Sequence, residues 1–156
     1  MAKVLRLFAL HLPVVLEAAT LEESERLVEA LIAREGIRFV QANAVSDPLP
    51  EADTVLIREV LFHLSFEDAM AVLRNLLSQP RDYLLITTDR QPSLNFDIPS
   101  GDYRMLNLEA RPFKFPEPEF FIEEKGKVPQ RRLAAWKADD IRAVLGGRRK
   151  SGAPHA

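Results

Sequence analysis

The chain contains no cysteine. Disulfides, thiolate nucleophiles and cysteine-ligated zinc are therefore excluded. Its three histidines, His11, His63 and His155, stand far apart in sequence, which argues against a histidine-based metal site, and no metal is expected. Glycine is scarce: there are six in all and none in residues 1–16. A backbone that must turn tightly and approach a ligand closely needs glycine, because a Cβ would clash there. Charge of one sign is also lacking. The net charge of −2 gives no reason to expect affinity for nucleic acid or membranes. No apolar run is long enough for a membrane span. The amino-terminal stretch MAKVLRLFALHLPVVLEA is broken by His11 and Pro13, has few basic residues ahead of it and shows no small-residue cleavage pattern. It reads as strand or irregular core, and the expected location is cytoplasmic. Neither a phosphate loop nor an internal repeat is present.

What is there suits a single domain. The 156 residues are 47% apolar and 28% charged, an ordinary balance for a chain that buries a core. The expected domain runs over 1–145, with a flexible basic tail, GGRRKSGAPHA, over 146–156. Val14-Val15-Leu16 reads as a buried strand ending at Glu17. Thr20 with Glu23 forms a capping box that starts a helix. Leu21, Leu27, Val28, Leu31 and Ile32 give that helix an apolar stripe, and Gly36 stops it. With the strand Ile37–Ala42 this makes a βαβ unit, which predicts a parallel sheet.

The stretch Asp47 to Leu76 is the richest in signal. Asp53 precedes the run Thr54-Val55-Leu56-Ile57, which suits a central parallel strand buried on both faces. Arg58 and Glu59 end the run abruptly, and His63 follows before a helix begins at Ser65. Ligands of open α/β sheets bind outside the carboxyl ends of such strands, so Arg58, Glu59 and His63 stand where chemistry is placed. Ser65 with Asp68 signs the helix start, Phe66, Ala69, Met70, Leu73, Leu76 and Leu77 form its core face, and Pro80 ends it. Tyr83–Thr88 predicts another buried strand. Residues 89–118 hold five of the eleven prolines and little periodicity, the mark of a functional, lid-like insertion. Phe120-Phe121-Ile122 and Arg132–Trp136 predict a closing antiparallel pair, followed by a short helix over Ala138–Leu145.

The segments DPLP (Asp47–Pro50), Ala52-Asp53, Val55-Leu56-Ile57-Arg58-Glu59, His63-Leu64 and YLLITT (Tyr83–Thr88) resemble, in order and spacing, the fourth-strand region of class I S-adenosylmethionine-dependent methyltransferases. The likeness continues through Asn95–Ile98, the GDYRMLNL run (Gly101–Leu108), Pro112-Phe113 and Pro116–Pro118, and closes near Leu133–Trp136. It covers roughly residues 36 to 141. It implies an α/β fold with a Rossmann-like methyltransferase sheet, mostly parallel with a C-terminal antiparallel pair, lacking the first strand and helix. The implied methyl donor is S-adenosylmethionine and the implied acceptor a small or carbohydrate-like molecule. Cofactor binding falls to Glu17 (strand-two acid, to the ribose hydroxyls), Asn43 with Ala44 (to the adenine amine) and Arg58 at the strand-four end. His63 and Glu59 are the candidate catalytic bases. Asn95, Asp97, Asp102, Arg104 and Asn107 are the candidate acceptor contacts.

Each assignment has a purely structural counterpart. Glu17 also suits a surface position near a helix start, and Asn43 a turn that closes a strand. Arg58 and Glu59 could cap the sheet as an ion pair, His63 could bond to backbone, and Asp102 with Arg104 could fix the loop. Trp136 reads as core. The missing glycine-rich turn leaves three readings open: the carboxyl-terminal portion of a methyltransferase, a degenerate relative, or a chain whose cofactor half comes from elsewhere. Correspondingly, either the chain is a methyltransferase or it is a noncatalytic domain that serves as an interaction or regulatory module. A sheet lacking its first strand would expose an edge, so a homo-oligomer or a complementing chain is expected as partner.

Overall fold

The computed structural model describes residues 6–10, 14–17, 37–124 and 130–146. The helix expected from Thr20 and the tail from 147 onwards lie outside the described residues. Seven strands form one open sheet: β1 (Arg6–Leu10), β2 (Val14–Glu17), β3 (Ile37–Gln41), β4 (Thr54–Arg58), β5 (Tyr83–Asp89), β6 (Phe120–Glu123) and β7 (Arg131–Lys137), in the order β3-β1-β2-β4-β5-β7-β6. Two helices, α1 (Phe66–Leu76) and α2 (Ala138–Gly146), complete the described regular structure.

β4 forms where expected and is interior. It lies parallel to both neighbours, β2 and β5. Its Val55 and Ile57 are fully buried in the same core as Ala69, Leu73 and Leu76 of α1, while Leu56 on the other face is only partly covered. α1 starts as its sequence dictates, with the Ser65 hydroxyl accepting the Asp68 N–H at 3.1 Å.

The expectation of a mostly parallel sheet is corrected. Only β2–β4 and β4–β5 run parallel; β1–β2, β1–β3, β5–β7 and β6–β7 are antiparallel. The cause lies in connection length. Only three residues separate Leu10 from Val14, and a parallel crossover needs a dozen or more. β1 therefore pairs antiparallel with β2 and is wedged between β2 and β3, so the two strands of the expected βαβ unit share a direction but do not touch. As a result β2, which carries Glu17, lies directly against β4. In a doubly wound sheet that place belongs to the first strand, not the second.

The carboxyl-terminal half matches its sequence signals. β6 and β7 pair antiparallel, and β7 continues into α2. Trp136 is core: it is buried, stands edge-on to Phe115 at 5.4 Å, and donates from Nε1 to the Pro116 carbonyl at 2.8 Å. Residues 90–119 have no regular secondary structure, yet they are not a free lid. Leu106, Leu108 and Phe113 are fully buried. The Asp89 N–H donates to the Leu106 carbonyl at 2.8 Å, and the Leu108 N–H to the Thr88 hydroxyl at 3.0 Å, so the segment zips onto the end of β5. Among the described residues no helix is long and apolar enough to cross a membrane.

Two outcomes follow from this packing. Trp136→Ala removes the largest fully buried side chain and should cost about 3–5 kcal/mol in urea unfolding; a loss below about 1 kcal/mol would contradict a core role. On the surface, hydrogen bonds from Lys137 and then Tyr83 hold the Glu119 carboxyl below its ordinary value. Glu119 thus contributes stability above the unfolded carboxyl pKa, and the contribution is lost as pH falls through the folded value. Glu119→Gln should flatten this part of the acid limb of a stability–pH curve.

Candidate functional site

The parallel strands β4 and β5 end on the same rim, and β7, running antiparallel, begins there. Arg58 closes β4, in register with Glu17 of β2. The chain then leaves the sheet through Glu59 in the left-handed region, with φ 57°. A non-glycine residue there stores on the order of 1 kcal/mol or more of strain. The Glu59 N–H donates to the buried Thr87 hydroxyl of β5 at 3.1 Å, which fixes the exit direction. The following 3-10 turn, Leu61–His63, buries Leu61 and Phe62 and leaves His63 half-covered.

At the end of β5 the Asp89 carboxylate is fully buried. A buried charge survives only when paired and hydrogen-bonded. Arg131, its partner in the β5–β7 register, meets it with Nε at 2.9 Å and Nη2 at 3.3 Å. Oδ2 also accepts the Leu106 N–H at 3.1 Å. The guanidinium lies 4.5 Å over the Phe62 ring, and Nη2 donates to the Tyr103 oxygen at 2.8 Å. Nη1 lies 4.0 Å from the Glu59 carboxylate. Burial opposes the Arg131 charge, but the bonds to Asp89 and Tyr103 outweigh it and hold the proton more tightly than in a free arginine.

The turn at 61–63 is stitched to residues 101–104. Gly101 N–H donates to the His63 carbonyl at 2.7 Å, and Arg104 N–H to the Phe62 carbonyl at 3.1 Å. His63 Nδ1 lies 2.9 Å from the Asp102 carbonyl oxygen. A carbonyl can only accept, so Nδ1 carries the proton and, in the neutral ring, Nε2 keeps its lone pair. Tyr103 packs edge-on to Phe62 and beside His63, each at 5.6 Å between ring centres. Glu59, His63, Tyr103, Asp89 and Arg131 thus form one constellation at the ends of β4 and β5. Such a set can orient a polar ligand and accept a proton.

The remaining expected residues are placed as follows. Arg58 reaches Glu124 at 3.3 Å. Asn43 is an exposed turn residue: its side chain accepts the Val45 N–H and its backbone donates to Asp47. Ala44 is buried, and its carbonyl accepts from Asn75 at 2.9 Å. Both lie after β3, on the same rim but three strands from β4. Asn95 and Asn107 knot the irregular segment. Asn95 donates to the Asn107 and Arg111 carbonyls and accepts the Asn107 N–H, while Asn107 donates to the Arg90 and Pro92 carbonyls. Asp97 caps α1 by accepting the Phe66 N–H at 2.7 Å. Arg104 is buried over the Phe66 ring, 3.8 Å from Asp97, and none of its side-chain nitrogens has a hydrogen-bond partner. Asp102 is exposed and joins the constellation through its carbonyl.

Asp89, Arg131 and Tyr103 escape the sequence reading. The signals that point to them are an acid closing the apolar run YLLITTD, and the tyrosine inside GDYR. Among the described residues no group of three or more acidic or imidazole side chains is placed to hold a metal ion. No known family model, curated protein or solved structure matches the chain.

The Asp89–Arg131 pair carries a clear expectation. Asp89→Leu alone strands a buried guanidinium and should cost about 3–5 kcal/mol, whereas Asp89→Leu with Arg131→Leu should recover a substantial part of that loss. Additive losses in a double-mutant cycle by urea unfolding would refute the coupling.

Proposed function

We propose that the chain has a Rossmann-like sheet and acts as an S-adenosylmethionine-dependent methyltransferase. One observation carries this reading: the interior strand β4, parallel on both sides, ends at Arg58 and Glu59 level with Glu17, beside the His63–Tyr103–Arg131 constellation. The order of the first five strands in space supports it. It follows the doubly wound arrangement position by position, with β1 reversed in the place of the second strand. From β3 to β4 the rim is three strand spacings, about 14 Å, wide. An extended nucleoside–amino acid conjugate fits across it. From the strand next to β4, and not from the second-strand place that the resemblance implies, Glu17 serves the ribose hydroxyls, while Asn43 and Ala44 serve the adenine and Arg58 flanks the reacting end. When bound, S-adenosylmethionine supplies an already activated methyl group. The chain's own work is alignment, together with removal of the acceptor proton. His63 Nε2, left with its lone pair by the Asp102 contact, is the base, and the Glu59 carboxylate, 4.0 Å from Arg131, is the alternative one.

A second reading, a noncatalytic domain that keeps the fold as an interaction or regulatory module, is favoured by one feature. The strand beside β4 is followed by Ala18-Ala19-Thr20, and no glycine occurs before Gly36. The close backbone approach that glycine permits is thus missing at the place where a doubly wound sheet binds its nucleotide. Titration calorimetry with S-adenosylhomocysteine separates the two readings. Saturable binding in the micromolar range, about 8 kcal/mol, supports the enzyme. In that case Glu17→Gln should weaken binding about tenfold, roughly 1.4 kcal/mol. Silence at millimolar ligand selects the noncatalytic reading.

A further inference from the structure

Arg131 has one donor group that the fold does not use. Its Nε and Nη2 are spent on Asp89 and Tyr103, while Nη1 makes no hydrogen bond. The three partnerless nitrogens of Arg104 are sealed from solvent, whereas Arg131 Nη1 is not. The whole Arg131 side chain is only 6% exposed, so a cation more than nine-tenths buried presents one unused amino group at the rim. Glu59 faces it. Its Oε1 lies 4.0 Å from Nη1, an ion-pair distance but too long for a hydrogen bond. Both partners are anchored. Arg131 could approach only by giving up the Asp89 carboxylate, and the Glu59 backbone is held at φ 57° by its bond to Thr87. A glycine would stand there without strain, yet the position carries a carboxylate, and strain kept at a strand end points to use.

The 4.0 Å separation suits one oxygen atom bridging the two ends. An oxygen about 2.8 Å from each would see them about 90° apart, an angle that a hydroxyl accommodates. The chemistry of the ends narrows the group further. Nη1 can only donate and an ionised carboxylate can only accept, so the bridging group must do both. A ligand carboxylate or phosphate would suit Nη1 but would set like charges side by side, where the Arg131 charge is already matched by Asp89. An ammonium would suit Glu59 but has no lone pair for Nη1. A hydroxyl serves both. A carboxylate has about four acceptor positions, so Glu59 can take this proton in addition to its other contacts.

We propose that Arg131 Nη1 and the Glu59 carboxylate grip a hydroxyl group of the ligand, and that the methyl acceptor is accordingly an alcohol or a phenol. The word acceptor rests on the methyltransferase reading; the hydroxyl site does not. Arg131 is thus the residue that reaches the ligand, and Asp89 is the positioning residue behind it.

Benzyl alcohol, benzoate and benzylammonium share one ring and differ in the head group. Titration of the full chain with each, read by NMR at the Arg131 Nε–H signal, tests the site. Saturable binding of benzyl alcohol is expected, about tenfold tighter than that of benzoate or benzylammonium. Glu59→Gln removes the like charge and should reverse the first preference. Benzoate should gain about tenfold, and benzyl alcohol, losing a charge-assisted bond, should weaken about three- to tenfold. A gain of binding cannot come from a damaged fold. Absence of benzyl alcohol binding, preference of the unsubstituted chain for either charged probe, or no gain for benzoate in Glu59→Gln overturns the proposal. S-adenosylhomocysteine is titrated in parallel. If benzyl alcohol binds as expected and S-adenosylhomocysteine does not, the hydroxyl site stands and the methyltransferase reading falls. If only S-adenosylhomocysteine binds, the reverse holds.

Discussion

The buried Asp89–Arg131 pair is the constraint around which the carboxyl-terminal part of the described sheet is arranged. A carboxylate with no access to water must be matched by a cation and by donors for its remaining lone pairs. Arg131 provides the cation from the first position of β7, and the Leu106 N–H provides a further donor. Meeting that requirement fixes the β5–β7 register, draws the irregular segment against the sheet end, and sets a guanidinium over Phe62 with a nitrogen left for Tyr103. The half-exposed groups of the site are therefore held by a fully buried one. A preorganised site needs such an arrangement, because its groups then lose little freedom on binding.

The irregular segment illustrates how a long loop can be rigid. Its backbone carbonyls at 90, 92, 107 and 111 are satisfied by two asparagine side chains instead of a strand ladder. Leu106, Leu108 and Phe113 give it a share of the core. Sequence alone marks these asparagines as polar residues near a site, since an amide that knots a loop and one that contacts a ligand look alike before the fold is known. The same holds for Asp97, whose carboxylate caps α1 from thirty-one residues away.

Where local chemistry decides, the chain is easily read. The Ser65 cap, the apolar face of α1, the run ending at Ile57, the β6–β7 pair and Trp136 in the core are all written in neighbouring residues. What is not legible depends on which strand lies beside which. Alternation and β-branching are the same in parallel and antiparallel strands, so nothing in Val14–Glu17 announces that β1 folds back beside it and displaces β3 to the edge. The placement of Glu17 shifted with it, from a second-strand position to one touching β4. The site was half visible for a related reason. Arg58, Glu59 and His63 follow a recognisable strand, whereas the link between Asp89 and Arg131 spans forty-two residues and exists only once the sheet has closed.

That span also bears on assembly. The β5–β7 ladder is the most distant pairing among the well-buried strands, and loop-closure entropy must be met before its contacts give anything back. Local pieces such as α1 with β4 and β5 can form first; the ladder waits for the whole excursion through 90–130 to be laid down. During synthesis, any nascent chain that stops short of Arg131 carries Asp89 without its counter-charge and leaves the side of β5 unpaired.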